Sequence, residues 1–147
     1  MLNGKPEEVE QEILQTLRGA SGQNNCVILD IASEYESEGL SKEERKGLNL
    51  PPESGLDVLI KKSYELLGLI TFLTTGEDET RAWTVKRGDK APKAGGAIHS
   101  DFEQKFVKAE VIFWQDLLKS GSYAKAREMG LIRTEGKEYV VKDGDVV

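Results

Sequence analysis

Leu69-Ile70-Thr71-Phe72-Leu73-Thr74-Thr75, then Gly76-Glu77-Asp78, then Thr80-Arg81-Ala82-Trp83-Thr84-Val85 is the stretch on which the fold turns. β-Branched and aromatic residues dominate both flanks, the composition of strands on a pleated, half-buried surface. The glycine and two acids between them interrupt the apolar run, so the three pieces predict an antiparallel hairpin. Alternation places Arg81, Trp83 and Val85 on one face of the second strand and Ala82, Thr84 and Lys86 on the other. Trp83 belongs to the core if the first face meets a helix, and is a base-stacking candidate if it does not.

Working downstream, Gly88 to Gly96 holds three glycines, a proline and two lysines, with Lys86 and Arg87 just before it, and reads as a basic loop. Ser100 and Glu103 have the spacing of a capping box, which predicts the main helix near Asp101–Ala109 with Phe102 and Phe106 docked on the hairpin. Val111-Ile112-Phe113-Trp114 reads as a third strand, Ser122 to Met129 as a short helix and Glu138-Tyr139-Val140-Val141 as a fourth strand. Asp143-Gly144 is a hairpin-type turn leading into Asp145-Val146-Val147. A sheet gripping one helix, as in ubiquitin-like β-grasp folds, fits this order, and the fold class is α+β.

Working upstream, Gly55 to Leu67 carries Leu56, Leu59, Ile60, Tyr64 and Leu67 at helical spacing, a stripe that should face a core. Ser41 with Glu44 predicts a short capped helix, stopped by Asn49-Leu50-Pro51-Pro52. From Pro6 to Leu17 the residues Val9, Ile13, Leu14 and Leu17 predict an amphipathic helix, ended near Gly19. After a turn cluster, Cys26-Val27-Ile28-Leu29 has the continuous apolar character of a strand buried on both faces. A lone αβ piece cannot cover both faces, which is a first sign of incompleteness.

The chain has 147 residues, 20 basic and 26 acidic, for a formal charge of −6. The acidity belongs to residues 1–60, at −7, whereas residues 61–147 carry +1, so a polyanion partner stays open for the second segment. No apolar run approaches the ~20 residues of a membrane span, and the acidic opening lacks a signal peptide's regions, so no membrane contact and a cytoplasmic location are expected. One cysteine, Cys26, and one histidine, His99, exclude an internal disulfide and a Cys/His metal cluster, so no metal site is expected. His99 is read as a structural imidazole that could donate to a loop carbonyl, and Cys26 as buried and inert. The acid runs Glu34/Glu36/Glu38 and Glu77/Asp78/Glu79 read as solvated surface, so no catalytic residue is assigned.

The sharper signal is basic. Lys86, Arg87, Lys90 and Lys93, with Lys105 and Lys108 further on, are candidates for phosphate contacts to RNA, since loop lysines can follow a phosphate backbone without reading sequence. A solubilising surface is the alternative.

Four motifs, Tyr64-Glu65-Leu66-Leu67-Gly68-Leu69-Ile70-Thr71-Phe72, Arg81-Ala82-Trp83-Thr84-Val85, Ala97-Ile98-His99-Ser100-Asp101-Phe102-Glu103 and Gly136-Lys137-Glu138-Tyr139-Val140-Val141-Lys142-Asp143-Gly144-Asp145-Val146, resemble in order the C-terminal part of the YchF/Obg-like ATPase family. The resemblance implies a β-grasp TGS domain over residues 63–147, preceded over residues 1–62 by the α/β remnant of a P-loop G domain. It places Cys26 to Ser33 at the last G-domain strand and base loop, and carries Ala32 and Ser33 over weakly as nucleotide-contacting residues. Partners implied are RNA or the ribosome; a partner protein, or the family's own G domain, is the alternative. The family uses ATP or GTP with Mg, yet no Gly-x-x-x-x-Gly-Lys-Ser/Thr occurs here, so this chain is expected to need no cofactor and to hydrolyse no nucleotide by itself. The family's last strand runs further than Val146, so the chain is expected to stop early and leave a central sheet position open.

Overall fold

The computed structural model describes residues 11, 13–17, 19, 27, 29, 31–76 and 78–147. It divides into two compact units, Met1–Leu66 and Leu67–Val147.

In the first unit the backbone is helical at residues 11, 13–17 and 19, where the amphipathic helix is expected; its start at Pro6–Glu10 lies outside the described residues. Val27 and Leu29 stand in no strand, against the strand read from Cys26-Val27-Ile28-Leu29, whose Cys26 and Ile28 lie outside the described residues. Three helices follow: α1 (Ile31–Glu36), α2 (Lys42–Gly47) and α3 (Gly55–Leu67). The capping box on α2 forms as read, with Ser41 Oγ accepting from Glu44 N–H and the Glu44 carboxylate accepting from Ser41 N–H at 2.8 Å. Those Ser41 hydrogen bonds hold the Glu44 carboxyl below its usual range. The α3 stripe departs from expectation: Leu56, Leu59, Ile60 and Leu67 are all exposed.

The buried groups of this unit are polar instead. Arg45 is 4% exposed. Its guanidinium donates to Pro51 O at 2.9 Å, Ser37 Oγ at 2.8 Å and Glu34 Oε1 at 2.9 Å, tying α1, α2 and the segment before α3 together. Glu34 is thus an ion-pair partner rather than a solvated acid.

The second unit is a mixed α+β structure on one sheet. The hairpin forms as read, β1 (Leu69–Thr75) pairing antiparallel with β2 (Thr80–Lys86) in the register Leu69↔Lys86 to Thr75↔Thr80. It continues as α4 (Ala91–Ile98), α5 (Ser100–Gln104), β3 (Ala109–Phe113), α6 (Trp114–Ser120), α7 (Tyr123–Glu128), β4 (Arg133–Glu135) and β5 (Asp145–Val146). The strand order is β2-β1-β5-β3-β4, with β5 parallel to β1 and antiparallel to β3.

Pleating sorts the core. Ile70, Phe72 and Val85 face Ala91 and Ala94 of α4, with Val141 beside them, and Trp83, Phe106 and Val147 pack around the edge. A second cluster joins Ile112, Val146 and Leu73 to Ala126 of α7 and Leu117 of α6. Trp83 is therefore a core-edge residue; its Nε1 donates to Thr74 Oγ1 at 2.9 Å and the Arg81 guanidinium lies 4.4 Å over its ring.

Several expectations are corrected. The main helix of this unit is α4, which begins within the segment read as a basic loop and runs two residues past it, and not Asp101–Ala109. Pro92 stands in its first turn, where a missing N–H costs nothing. Gly95 and Gly96 are packing residues rather than loop residues: a Cβ on Gly95 would lie 3.2 Å from Phe102 Cβ, and one on Gly96 would meet the Glu103 side chain. The Ser100/Glu103 capping box gives way to His99, whose Nδ1 accepts from Asp101 N–H at 3.2 Å, so the imidazole is an acceptor here. Phe102 is 53% exposed and only Phe106 reaches the core. Trp114 begins α6 instead of ending the third strand, and the fourth strand is Arg133–Glu135; Glu138–Val141 contributes one bridge, Lys90↔Val140.

Candidate nucleic-acid interface

The basic segment Lys86–Lys93 starts at the end of β2, because the Leu69↔Lys86 register brings the hairpin to its base there. It is not a loose loop. Arg87 N–H donates to Gly68 O at 2.7 Å, Asp89 N–H to Lys86 O at 3.0 Å, and Lys86 N–H to Asp89 Oδ2 at 3.1 Å. Gly88, at φ +94, supplies the left-handed backbone this turn requires. Further bonds, Ala91 N–H to Tyr139 O and Val141 N–H to Asp89 O, staple the segment to residues 139–141.

The six candidate cations fall into two groups. Lys86, Arg87, Lys90 and Lys93 lie at the Leu69 end of β1, around the start of α4. Lys105 and Lys108 line a cavity together with Thr74, Thr75 and Gly76, at the other end of the strand. At about 3.3 Å per residue the two ends are roughly 20 Å apart, which separates Lys86 and Arg87 from the Gly76 end, whereas Lys93 and Lys105 both pair with acids of α5.

Charge is further divided by ion pairing. Lys90 Nζ meets Glu138 Oε2 at 2.5 Å, Lys93 meets Glu103 at 4.0 Å and Lys105 meets Asp101 at 3.0 Å. All three pairs are exposed, where such contacts are weak and a phosphate can compete. Lys86, Arg87 and Lys108 are exposed and make no ion pair among the described residues. Lys86 and Arg87, adjacent on a fixed turn, are the most available positive charges of the first group.

Ala32 and Ser33 lie in the first turn of α1, not in a loop, and Ser33 O accepts from Ser37 N–H at 3.0 Å and from Ser37 Oγ at 2.6 Å. A cavity of about 700 Å³ in the same unit is lined by Ile31, Tyr35, Ser37, Arg45 and Leu56, without Ala32 or Ser33. Among the described residues no group of three or more His, Cys, Asp or Glu is placed to hold a metal ion, and no helix is long and apolar enough to cross a membrane.

One polar constellation escaped the sequence reading. Asp145, 1% exposed on β5, accepts from Tyr139 Oη at 2.7 Å and Lys142 N–H at 2.8 Å, and Arg133 donates to Tyr139 Oη at 3.2 Å. Burial, then the Asp145 carboxylate, pushes the Tyr139 hydroxyl up to about 12. An acid directly after a turn gives no sign in sequence that it will be buried; only the pairing of β5 between β1 and β3 buries it. These bonds tie β5 to residues 139–142.

The family model YchF-GTPase_C, described as a protein of unknown function (DUF933), matches residues 69–147. Over 133 residues the chain is 53% identical to a protein of Bacillus subtilis (strain 168) named Ribosome-binding ATPase YchF, a match covering 87% of this chain and 36% of that protein. A protein of the same name from Mycoplasma genitalium is 48% identical over 117 residues, covering 77% of this chain and 32% of its own length. Obg-like ATPase 1 of Gallus gallus is 45% identical over 95 residues, 65% of this chain and 24% of that one. The chain thus spans about a third of the bacterial relatives' length. Among solved structures, the Schizosaccharomyces pombe YchF GTPase aligns with a TM-score of 0.64 at 45% identity, covering 71% of this chain and 27% of that one.

Proposed function

The chain belongs to the YchF-GTPase C-terminal family, and from that premise we propose that it is a non-catalytic module that contacts RNA, with the ribosome as the setting. In this reading residues 63–147 are a TGS domain of the β-grasp kind and residues 1–62 the tail of a G domain. The sheet order with β5 at its centre and α4 across one face supports the first part. The ribosome-binding character carried in the bacterial relatives' name supports the setting.

The observation that carries the reading is the Lys86-Arg87 pair: two exposed cations without ion-pair partners among the described residues, on a turn pinned by backbone bonds, with Lys90 and Lys93 adjacent. The pinned backbone fixes where the two side chains start from, and phosphate contacts of this kind position an RNA without reading its sequence. A Lys86→Ala/Arg87→Ala variant tests it by fluorescence anisotropy with structured RNA over a salt series. Two lost phosphate contacts flatten the log–log salt slope by roughly 1.4–1.8. An unchanged slope and affinity overturn the RNA reading.

ATP and GTP are not ligands of this chain in the proposal, because the sequence holds no phosphate cradle and Ala32 and Ser33 are helical. Calorimetric titration with Mg-nucleotide checks this; micromolar affinity would reveal an unrecognised phosphate site. The second reading, docking of a protein partner or of a G domain, is favoured by the exposed leucines and isoleucine of α3. Binding through that face would respond weakly to salt.

A further inference from the structure

Three segments meet at the Leu69 end of the sheet. Val141 N–H donates to Asp89 O at 3.1 Å, which sets Lys142 beside the turn that carries Lys86 and Arg87. Thr71 N–H donates to Asp143 Oδ1 and Gly144 N–H to Thr71 O, each at 2.8 Å, so residues 142–144 run along β1. Trp114 N–H then donates to Gly144 O at 3.0 Å, which brings the start of α6 onto the same turn. Because Lys86 registers with Leu69, the backbones of Gly144 and Lys86 are two strand spacings across and two residues along from each other, about 12 Å.

Trp114 is the large ring of this end, and it is not in the core. It is 40% exposed, and among the described residues its Nε1 has no hydrogen-bond partner, whereas Trp83 donates to Thr74 Oγ1. The indole is nonetheless fixed. It lies so close to Gly144 that a Cβ there would come within 2.7 Å of Trp114 Cδ1 and 3.0 Å of Nε1, and the Phe113 ring stands 6.1 Å away, tilted by 52°. Glycine beneath and phenylalanine beside support the ring while much of it stays open to solvent. Charge around it is nearly balanced: Lys86, Arg87 and Lys142 are exposed and make no ion pair among the described residues, while Asp89 and Asp143 each give an oxygen to a backbone N–H. Three cations against two carboxylates hold a phosphate backbone only weakly, so firm contact at this end needs a contribution that is not charge. Base stacking on an aromatic ring is such a contribution.

We propose that Trp114 is a stacking platform for an unpaired base of the RNA, and that Lys142 joins Lys86 and Arg87 on the phosphates beside it. The inference rests on the RNA reading above and narrows it to RNA with a bulged or looped-out nucleotide. Inside a continuous duplex the bases stack on one another and are hidden from a flat ring, whereas an unpaired base swings out onto it. Every base has a face to offer the indole, so the preference is for unpaired over paired nucleotides and not for one sequence. The strand that leaves the stacked base passes Lys142 and then the Lys86-Arg87 turn, the order in which hydrogen bonds join the three segments.

The test uses the whole 147-residue chain and two labelled RNA hairpins, identical except that one carries a single bulged adenosine, with binding followed by fluorescence anisotropy. The parent chain should bind the bulged hairpin about tenfold more tightly than the paired one, within the range of one base stacked on an aromatic ring. Trp114→Leu keeps an apolar group over Gly144 but removes the ring, so it should abolish the preference and leave the log–log salt slope unchanged; Trp114→Phe should keep most of the preference. Lys142→Ala should flatten the slope by roughly 0.7–0.9 for both hairpins, and an unchanged slope removes Lys142 from the site. In the parent chain the bulged hairpin should also quench tryptophan fluorescence more than the paired one does, a readout that needs no variant to fold. Equal affinity and equal quenching by the two hairpins, or a preference kept by Trp114→Leu, overturns the stacking site while the phosphate contacts of Lys86 and Arg87 stand. Failure of both hairpins to bind overturns the RNA reading and this site with it, and Trp114 is then an anchor for a protein.

Discussion

The two units are built from similar-looking sequence and are held together differently. In the second, Phe72 is fully buried and Ile70, Val111 and Ile112 nearly so, each on a strand whose neighbours cover it. In the first, the buried residues include Arg45 and Ser37, while Ile31 and Tyr35 are both 79% exposed and α3 shows leucines to solvent. Periodicity of apolar residues reports that a helix can bury a face; it does not report that anything is there to bury it against. The first unit is held by a guanidinium with three acceptors, the second by area removed from water.

That contrast sets the order of expected effects. Phe72→Ala removes a side chain from the centre of the sheet and should cost about 3–5 kcal/mol in urea unfolding followed by far-ultraviolet circular dichroism. A loss near 1 kcal/mol would mean that the second unit's core collapses around the gap and is less rigid than its packing indicates.

Arg45→Ala should act on the first unit alone. It leaves Glu34 and Ser37 without their shared donor, and hydrogen bonds to charged groups contribute about 1.5–3 kcal/mol each before relaxation. Hydrogen exchange should accelerate in α2 while β1 and β2 keep their protection. Equal acceleration in both units would show that they unfold as one and would erase the distinction.

The Tyr139–Asp145 pair gives the second unit a pH signature. Its hydroxyl titrates higher in the folded chain, at about 12, than in the unfolded one, near 10. Above pH 10 the folded state therefore holds a proton the unfolded state has released. Stability from this group is complete below pH 10 and is lost as pH rises toward 12. Tyr139→Phe should flatten the fall in melting temperature between pH 9.5 and 11.5 relative to the parent; an identical profile would place the alkaline loss elsewhere.

How far the sequence could be read follows the same division. The β1–β2 hairpin and the α2 capping box were legible because both depend on residues close along the chain: alternation with a glycine turn, and Ser41 with Glu44. The four motifs carried the family. Helix α4 was hidden because Ala91-Pro92-Lys93-Ala94-Gly95-Gly96 has turn chemistry, and its glycines make sense only once α5 lies against them. Strand β4 and the burial of Asp145 depend on partners distant in sequence, which no local pattern announces. The candidate cations were legible as a set and illegible as a surface. The separation of Lys86 and Arg87 from the Gly76 end of β1, and the pairing of Lys90, Lys93 and Lys105 with acids, are properties of the register and the packing.

The smallest effect is the most diagnostic for the first unit. Leu56 and Ile60, 58% and 49% exposed on α3, can be replaced by glutamine, which keeps good helix propensity and a long side chain. If that face meets only water, Leu56→Gln and Ile60→Gln should each change stability by no more than about 0.5 kcal/mol, as surface substitutions do. Their combination should be additive, since neither changes a packed neighbour. Solubility should rise, because an apolar stripe is removed from the surface. A cost above about 2 kcal/mol for either in urea unfolding would mean that the stripe is covered in solution, and the first unit would then share the second's means of holding together.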